Sequence, residues 1–288
     1  MIVDIVVLSS IYVLLALGYV VVYRTSRLLN FAHGDVFMIG GYLVFSIVAS
    51  LTLTPLLALP VALILGAIAG VLIYAVLISP MAGHPIFATV LVTVGLGIIV
   101  RGVALIGYSG QIVYPGRVLN IQNEPITLVD GLVASRLELH MVVSAMLITL
   151  ALAAFFRYSR LGIRMRAASE DPRLASFRGI NIHALFALAW AIATGISIYT
   201  SALYSFNQQI NPSLSDVALR GLAVSLVGGM DSIKGVIPAA LLIAALEIAT
   251  QRYISPQASE VVPFLMLVLV LLVRPWGLLG TKEAIDRI

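Results

Sequence analysis

The chain has 288 residues, of which 61% are hydrophobic and 10% charged, with a mean hydropathy of +1.09 and a formal net charge of +4. Soluble domains carry roughly a quarter charged residues, and one core of this length cannot hide so much apolar surface, so a soluble globular protein is excluded. The absence of cysteine excludes disulfides and thiolate metal sites, and the basic residues lie spread over loops without an aromatic-studded face, which argues against nucleic-acid binding.

Windows of about 20 apolar residues, the length that crosses a ~30 Å hydrocarbon layer as a helix, recur at about 3–22, 36–54, 56–79, 86–108, 139–156, 184–206, 235–251 and 261–279. The apolar–polar alternation of a membrane barrel is missing throughout. The expected fold is all-α: one polytopic membrane helical bundle over 1–288, with about eight long spans plus one short broken or re-entrant helix. The first window has no basic run before it and no small-residue cleavage site after it, so it is expected to remain as a transmembrane helix rather than be removed.

Orientation follows from Lys and Arg in the short loops. With the 157–182 loop in the cytoplasm, Arg24 and Arg27 are cytoplasmic too, and the N-terminus lies outside. The 109–138 loop is then extracytoplasmic, with Arg117 and Arg136 set against Glu124, Asp130 and Glu138. Eight crossings leave the tail, with Lys282 and Arg287, on the outside. A short helix over 218–231 that reaches into the membrane and breaks at Gly228-Gly229 returns that tail to the cytoplasm.

Two stretches echo each other. Leu28-Leu29-Asn30-Phe31-Ala32-His33-Gly34-Asp35 and Val227-Gly228-Gly229-Met230-Asp231-Ser232 each set Gly, Asp and polar groups where a spanning helix starts or breaks. Backbone that leaves helical form at membrane depth must be buried in protein or face water, and paired interruptions in two halves point to a transport pathway. Asn30, Phe31, His33, Gly34, Asp35, Gly228 and Gly229 are therefore the candidate pathway residues. His33 and Asp35 read either as a pathway-lining pair or as an imidazole on nearby carbonyls beside a helix cap. Arg101 reads either as a functional charge that pairs or faces a cavity or, the favoured reading, as structural, snorkelling to an outer end about two turns away. Glu247 carries the same ambiguity, with Arg252 five residues on, and Asp231 is expected to pair with Lys234 or a cap.

The 157–181 loop holds six of the 17 Lys and Arg residues. Asp171-Pro172 reads as an N-cap followed by proline in the first turn, and Gly179 as the C-terminal stop. The helix so defined, Pro172–Arg178, is too short to be stable in water without a partner surface. A docking segment with Arg173 and Arg178 for charge is expected there, with a connector lying on lipid headgroups as the plainer reading.

Four blocks, taken in this order, make the chain resemble the permease subunits of branched-chain amino-acid ABC transporters, the Liv-type permeases. They are LLNFAHGDVFMIGGY, RLGIRMRAASEDPRLASFRGIN, GLAVSLVGGMDSIKGVIPAALLIAALE and LVLLVRPWGLLG. The resemblance implies an importer in a bacterial-type inner membrane. Its other parts would be a second permease, two cytoplasmic ATPase subunits and an extracytoplasmic solute-binding protein. It also implies that Glu170–Ile180 is a coupling helix seated in the ATPase, with Arg166, Glu170, Asp171, Pro172, Arg173, Arg178 and Gly179 as coupling residues. The chain departs from the family pattern around Leu72–Val76, after Pro80, and at Arg220 where lysine is expected. Related permeases move urea or short amides, which is the alternative for the substrate.

Only two lysines, Lys234 and Lys282, are present, and neither sits in a phosphate-binding loop. ATP must therefore act through a partner, and neither a cofactor nor an enzymatic site is expected in this chain. The four histidines are dispersed, and no Gly-x-Ser-x-Gly or His-Glu-x-x-His pattern occurs. Alternating access driven by partner ATPases is the expected mechanism. An ATPase-independent secondary transporter would need coupling carboxylates, of which the sequence shows no clear set.

Overall fold

A computed structural model describes residues 1–51, 54–118, 121, 123–129 and 132–282. Asp130 and Arg287, counted above in the charge balance, lie outside the described residues, as do positions 52–53 of the second window. The helices run in order α1 (Ile2–Ser26), α2 (His33–Leu51), α3 (Pro55–Ile73), α4 (Ile86–Tyr108), α5 (Pro115–Val118), α6 (Arg136–Tyr158) and α7 (Arg160–Glu170). They continue with α8 (Pro172–Phe177), α9 (Ile182–Asn207), α10 (Leu214–Gly228), α11 (Ile233–Tyr253), α12 (Pro256–Ser259) and α13 (Val262–Val273). Among the described residues eight stretches are long and apolar enough to cross a membrane, Ile2–Ser26, His33–Leu51, Leu57–Met81, Ile86–Tyr108, Arg136–Tyr158, Ile182–Asn207, Ile233–Tyr253 and Pro256–Val273. The polytopic helical bundle and its eight long spans are as the apolar windows predict.

α1 is the axis. From Ser9 to Val22 every residue is buried, and the helix packs against α6, α9, α10 and α11. A helix apolar on all sides belongs inside a bundle rather than at its rim. It ends where Arg27 adopts a left-handed conformation (φ 55°) and its N–H bonds the Tyr23 carbonyl. The longest contact elsewhere is that of α3 along α9, where Gly66 and Gly70 meet Gly195 and Trp190. A side chain at Gly70 would overlap the Trp190 carbonyl, so the glycines are what lets two backbones touch. α3 then continues through a π-helical turn, Tyr74–Ile78, and a 3-10 turn, Ser79–Met81.

The bundle has two distinct ends. The hairpin face carries α5 and an antiparallel pair, β1 (Pro125–Val129) and β2 (Leu132–Ser135), in register Ile126 to Ala134. This hairpin lies within the expected 109–138 loop, but α6 begins inside that range, at Arg136, and takes Glu138 into its first turn. With Ser135 that glutamate forms a reciprocal cap on α6, in which Ser135 N donates to the carboxylate (2.8 Å) and Glu138 N to the hydroxyl (3.3 Å). The short-helix face carries α7, α8 and the 274–282 segment.

α10 differs from its prediction in placement. It begins at Leu214 rather than 218 and stops at Gly228, where Gly229 takes φ 102°. Its 15 residues reach only about 22 Å. It starts level with Gly34, whose missing Cβ would stand 2.8 Å from the Ser215 carbonyl, and ends on the short-helix face. The last span ends at Val273 rather than 279, because the chain after Arg274-Pro275 folds back onto α10. There Leu278 N donates to the Val227 carbonyl (2.8 Å) and Leu279 N to that of Gly228 (3.1 Å). Through α10 the chain changes faces once more, so Ile2 and Thr281 lie at opposite ends of the bundle, Thr281 beside Arg27.

Candidate substrate pathway

Between α1 and α2 the chain does not stay at the surface. Residues 28–32 turn back into the bundle, with the Asn30 side chain accepting from Ala32 N (3.1 Å) and Phe31 N donating to the Thr93 hydroxyl of α4 (3.1 Å). α2 therefore begins at depth, and Asn30, His33 and Asp35 are all buried. Asp35 lies against Gly97, midway along α4, where a Cβ would come within 2.5 Å of its carboxylate.

From the opposite end, residues 208–213 dip in from the hairpin face, held by a two-residue bridge between Val113 and Ile210, and α10 begins inside. The starts of α2 and α10 meet where Gly34 touches Ser215. Arg101 joins them. Its Nε donates to Asp35 Oδ1 (2.9 Å) and its terminal nitrogen to the Ser215 hydroxyl (2.8 Å), so one guanidinium ties α2, α4 and α10 together. The sequence expectation that Arg101 snorkels to an outer end is thus corrected: a charge at this depth is costly unless paired, and Asp35 is within reach.

A cavity of about 470 Å³ opens beside this pair, lined by Phe31, Val94, Ile98, Leu105 and Leu219 together with Arg101 and Asp35. On the hairpin face a wider polar vestibule of about 780 Å³ lies between Tyr114, Arg117 and Asn123 on one side and Asn207, Gln208 and Asn211 on the other. It reaches down to Leu214 and Val217 at the start of α10.

The candidate pathway residues divide accordingly. Phe31 and Asp35 line the cavity, Asn30 shapes the turn, and Gly34 permits the contact with α10. His33 does not line the cavity. Its ring rests on Tyr19 (4.4 Å between centroids) over Gly18, and its Nε2 has no hydrogen-bond partner among the described residues. Gly228 and Gly229 are elsewhere, packed on Gly235 and Gly280 at the short-helix face, so the structure does not bring them to Asn30–Asp35. Asp231 is held by the Thr281 amide (3.1 Å) and hydroxyl instead of by Lys234. The sequence did not single out Ser215 at all.

A second ion pair crosses α10 lower down. Arg220 donates to Glu247 Oε1 (2.7 Å) and the Tyr12 hydroxyl to Oε2 (2.6 Å), joining α10, α11 and α1. Glu247 therefore takes these partners and not Arg252.

On the short-helix face α8 is capped as predicted: Asp171 accepts from Leu174 N (2.9 Å), Pro172 opens the helix and Gly179 has φ 75°. Glu170, Asp171, Pro172, Arg173, Phe177, Arg178 and Gly179 are all exposed, Phe177 to 88%, so an apolar ring is left bare between two arginines. Arg166 is different, with its Nε buried and without a hydrogen-bond partner among the described residues. It belongs to α7, which lies within the stretch expected as loop. Ser159 caps α7, and it buries Gly162, Met165 and Ala168 against the bundle.

An apolar bundle with charged groups held around a cavity at mid-depth is the architecture of a membrane transport protein. Over residues 1–271 the chain matches the family described as branched-chain amino acid transport system / permease component, and it belongs to that family. It is 33% identical to the high-affinity branched-chain amino acid transport system permease protein LivH of Escherichia coli (strain K12), with 96% of this chain and 94% of that relative aligned. It is 27% identical to the corresponding protein BraD of Pseudomonas aeruginosa (96% and 93%) and 25% identical to a probable LivH of Methanocaldococcus jannaschii (96% and 90%). No solved structure matches the chain with significance.

Proposed function

We propose that this chain is the membrane permease of an ATP-driven importer that passes branched-chain amino acids across the membrane by alternating access. The observation that carries this reading is the meeting of two broken segments from opposite faces, Asn30–Asp35 and Asn211–Ser215, at one charged cavity. Lipid cannot satisfy such backbone or such charges, so the open side of this cavity is covered by the second permease or faces the water-filled path. The names of the relatives supply the substrate class.

The hairpin face is extracytoplasmic in this reading and its vestibule receives substrate from a solute-binding protein. The short-helix face, with its arginines, is cytoplasmic. One of two ATPase subunits engages α8, whose exposed Phe177 and flanking arginines suit a cleft on a partner. α8 is joined through Asp171 to α7, and α7 is anchored on the core by Met165 and Ala168, so displacement of α8 is passed to the axis of the bundle. The ATPases shift the equilibrium only by their differential affinity for the two permease states.

The test is leucine uptake and stimulated ATPase activity in the reconstituted complex carrying Asp171→Ala with Arg173→Ala. Both activities should fall at least about tenfold, ~1.4 kcal/mol of coupling, while size-exclusion still recovers the assembled permease. Uptake at the parental rate would reduce α8 to a connector.

A further inference from the structure

The Arg101–Asp35 pair sits in an apolar-walled cavity and is satisfied on one side only, which raises the question of what it is for. A purely structural ion pair is sealed, as Arg220–Glu247 is. Here the Arg101 side chain remains 46% exposed at a depth where exposure means a cavity or a partner. We infer that this pair is the site where the permease reads its substrate as a zwitterion, Arg101, steadied by Ser215, taking the α-carboxylate and Asp35 the α-ammonium. The inference rests on the proposed function above and deepens it.

Three features support the assignment. The charges are opposite and adjacent, Arg101 Nε and Asp35 Oδ1 being 2.9 Å apart, so a molecule carrying both charges on one carbon can insert and exchange one ion pair for two. An arginine fork binds a carboxylate in two-toothed fashion, and the Ser215 hydroxyl, which accepts from Arg101, holds the guanidinium in place for it. The start of α10 lies at the same place, and the positive end of its dipole favours a carboxylate there, a favour shared with the exposed Asp216 of its first turn.

The walls decide the side chain. Val94, Ile98, Leu105 and Leu219 surround the pair with aliphatic surface, and Phe31 adds a ring. They suit a branched apolar side chain and offer no hydrogen bond to a polar one. A neutral amide or urea would separate Arg101 from Asp35 and displace the water around them without replacing either charge, so both would lose compensation and gain none. The site therefore selects against those substrates.

The test uses the complete transporter in nanodiscs, without its binding protein. Binding of tritiated leucine is competed with leucinol, which lacks the carboxylate, 4-methylpentanoate, which lacks the ammonium, and with acetamide and urea. Leucinol and 4-methylpentanoate should compete about tenfold or more weakly than leucine, and acetamide and urea should not compete. In Arg101→Gln the penalty on leucinol should vanish, and in Asp35→Asn the penalty on 4-methylpentanoate. If Arg101→Gln no longer binds leucine, Arg101→Lys, which keeps the cation, should restore binding together with the penalty. Loss in both variants, displacement by urea, or an unchanged penalty in Arg101→Gln each overturns the inference. A parental complex that neither takes up nor binds leucine overturns instead the reading on which it rests.

Discussion

Two arginine–carboxylate pairs stand within one bundle, and their surroundings are opposite. Arg220 and Glu247 are 20% and 5% exposed, with Tyr12 filling the remaining carboxylate oxygen. Arg101 and Asp35 are 46% and 12% exposed, with Ser215 on the guanidinium and aliphatic side chains and open space on the remaining side. The sealed pair joins α1, α10 and α11 by largely buried interactions, with the exposed Glu260 3.9 Å from Arg220 at its edge. The open pair joins α2, α4 and α10 by interactions that a passing ligand can replace. The same chemistry thus serves as a fixed joint in one place and as a replaceable contact in the other. What separates them is access, not the ion pair itself.

The widest gap between the two should appear when one carboxylate is removed. Glu247→Leu leaves the Tyr12 hydroxyl without its partner and Arg220 with only the exposed Glu260, 3.9 Å away, so the cost should approach the low end of the about 3–5 kcal/mol for breaking a buried pair. The purified complex should lose thermal stability sharply, and adding Arg220→Met should recover most of the loss, because removing both charges together removes the uncompensated one. Asp35→Asn, melted alongside, should lower Tm by less, since the amide oxygen still accepts from Arg101 and the cavity admits water. Equal losses at the two sites would show that the open cavity is in fact sealed.

A finer cut at the sealed joint is Tyr12→Phe. It deletes one hydrogen bond to a charged acceptor while Arg220 still holds Glu247, so the expected cost is about 1.5–3 kcal/mol in a thermal melt of the complex. A loss as large as that of Glu247→Leu would mean that the tyrosine, rather than the arginine, is the main partner of the carboxylate.

Which of these features can be read from the chain depends on how local their cause is. The spans are set by length and apolar content, and the α8 boundaries by Asp171, Pro172 and Gly179, all within one short segment, so both are legible. α7 was missed because its register is helical only against the bundle: Gly162, Met165 and Ala168 are spaced by three but mean little until a surface is present. The partners of Arg101 and Glu247 are 66 and 27 residues away, and no nearby motif names them. One signal was available: charges within apolar spans must find opposite charges, and Asp35, Arg101, Arg220 and Glu247 make two such pairs. The loose echo between Asn30–Asp35 and Val227–Asp231 pointed to the wrong end of α10. The end that meets Gly34 is its start, where Asn211-Pro212-Ser213 breaks the chain.

The smallest expected effect tests the comparison most closely, because it depends on water rather than on charge. Ser215 is buried as a residue, yet its hydroxyl meets Arg101 at the edge of the open cavity and donates back to the Pro212 carbonyl (3.4 Å). Ser215→Ala leaves the Arg101–Asp35 pair in place and removes one acceptor from the guanidinium. In a sealed site that orphaned donor would carry the full cost of desolvation, about 1–3 kcal/mol. In a cavity open to water a solvent molecule takes the hydroxyl's place, and the net loss falls below one hydrogen bond. Leucine uptake by the reconstituted complex should therefore drop only about two- to threefold, in the range of half a kcal/mol. A loss comparable to that of Arg101→Gln would place Ser215 among the contacts that no water can substitute, and the open pair would then resemble its sealed counterpart.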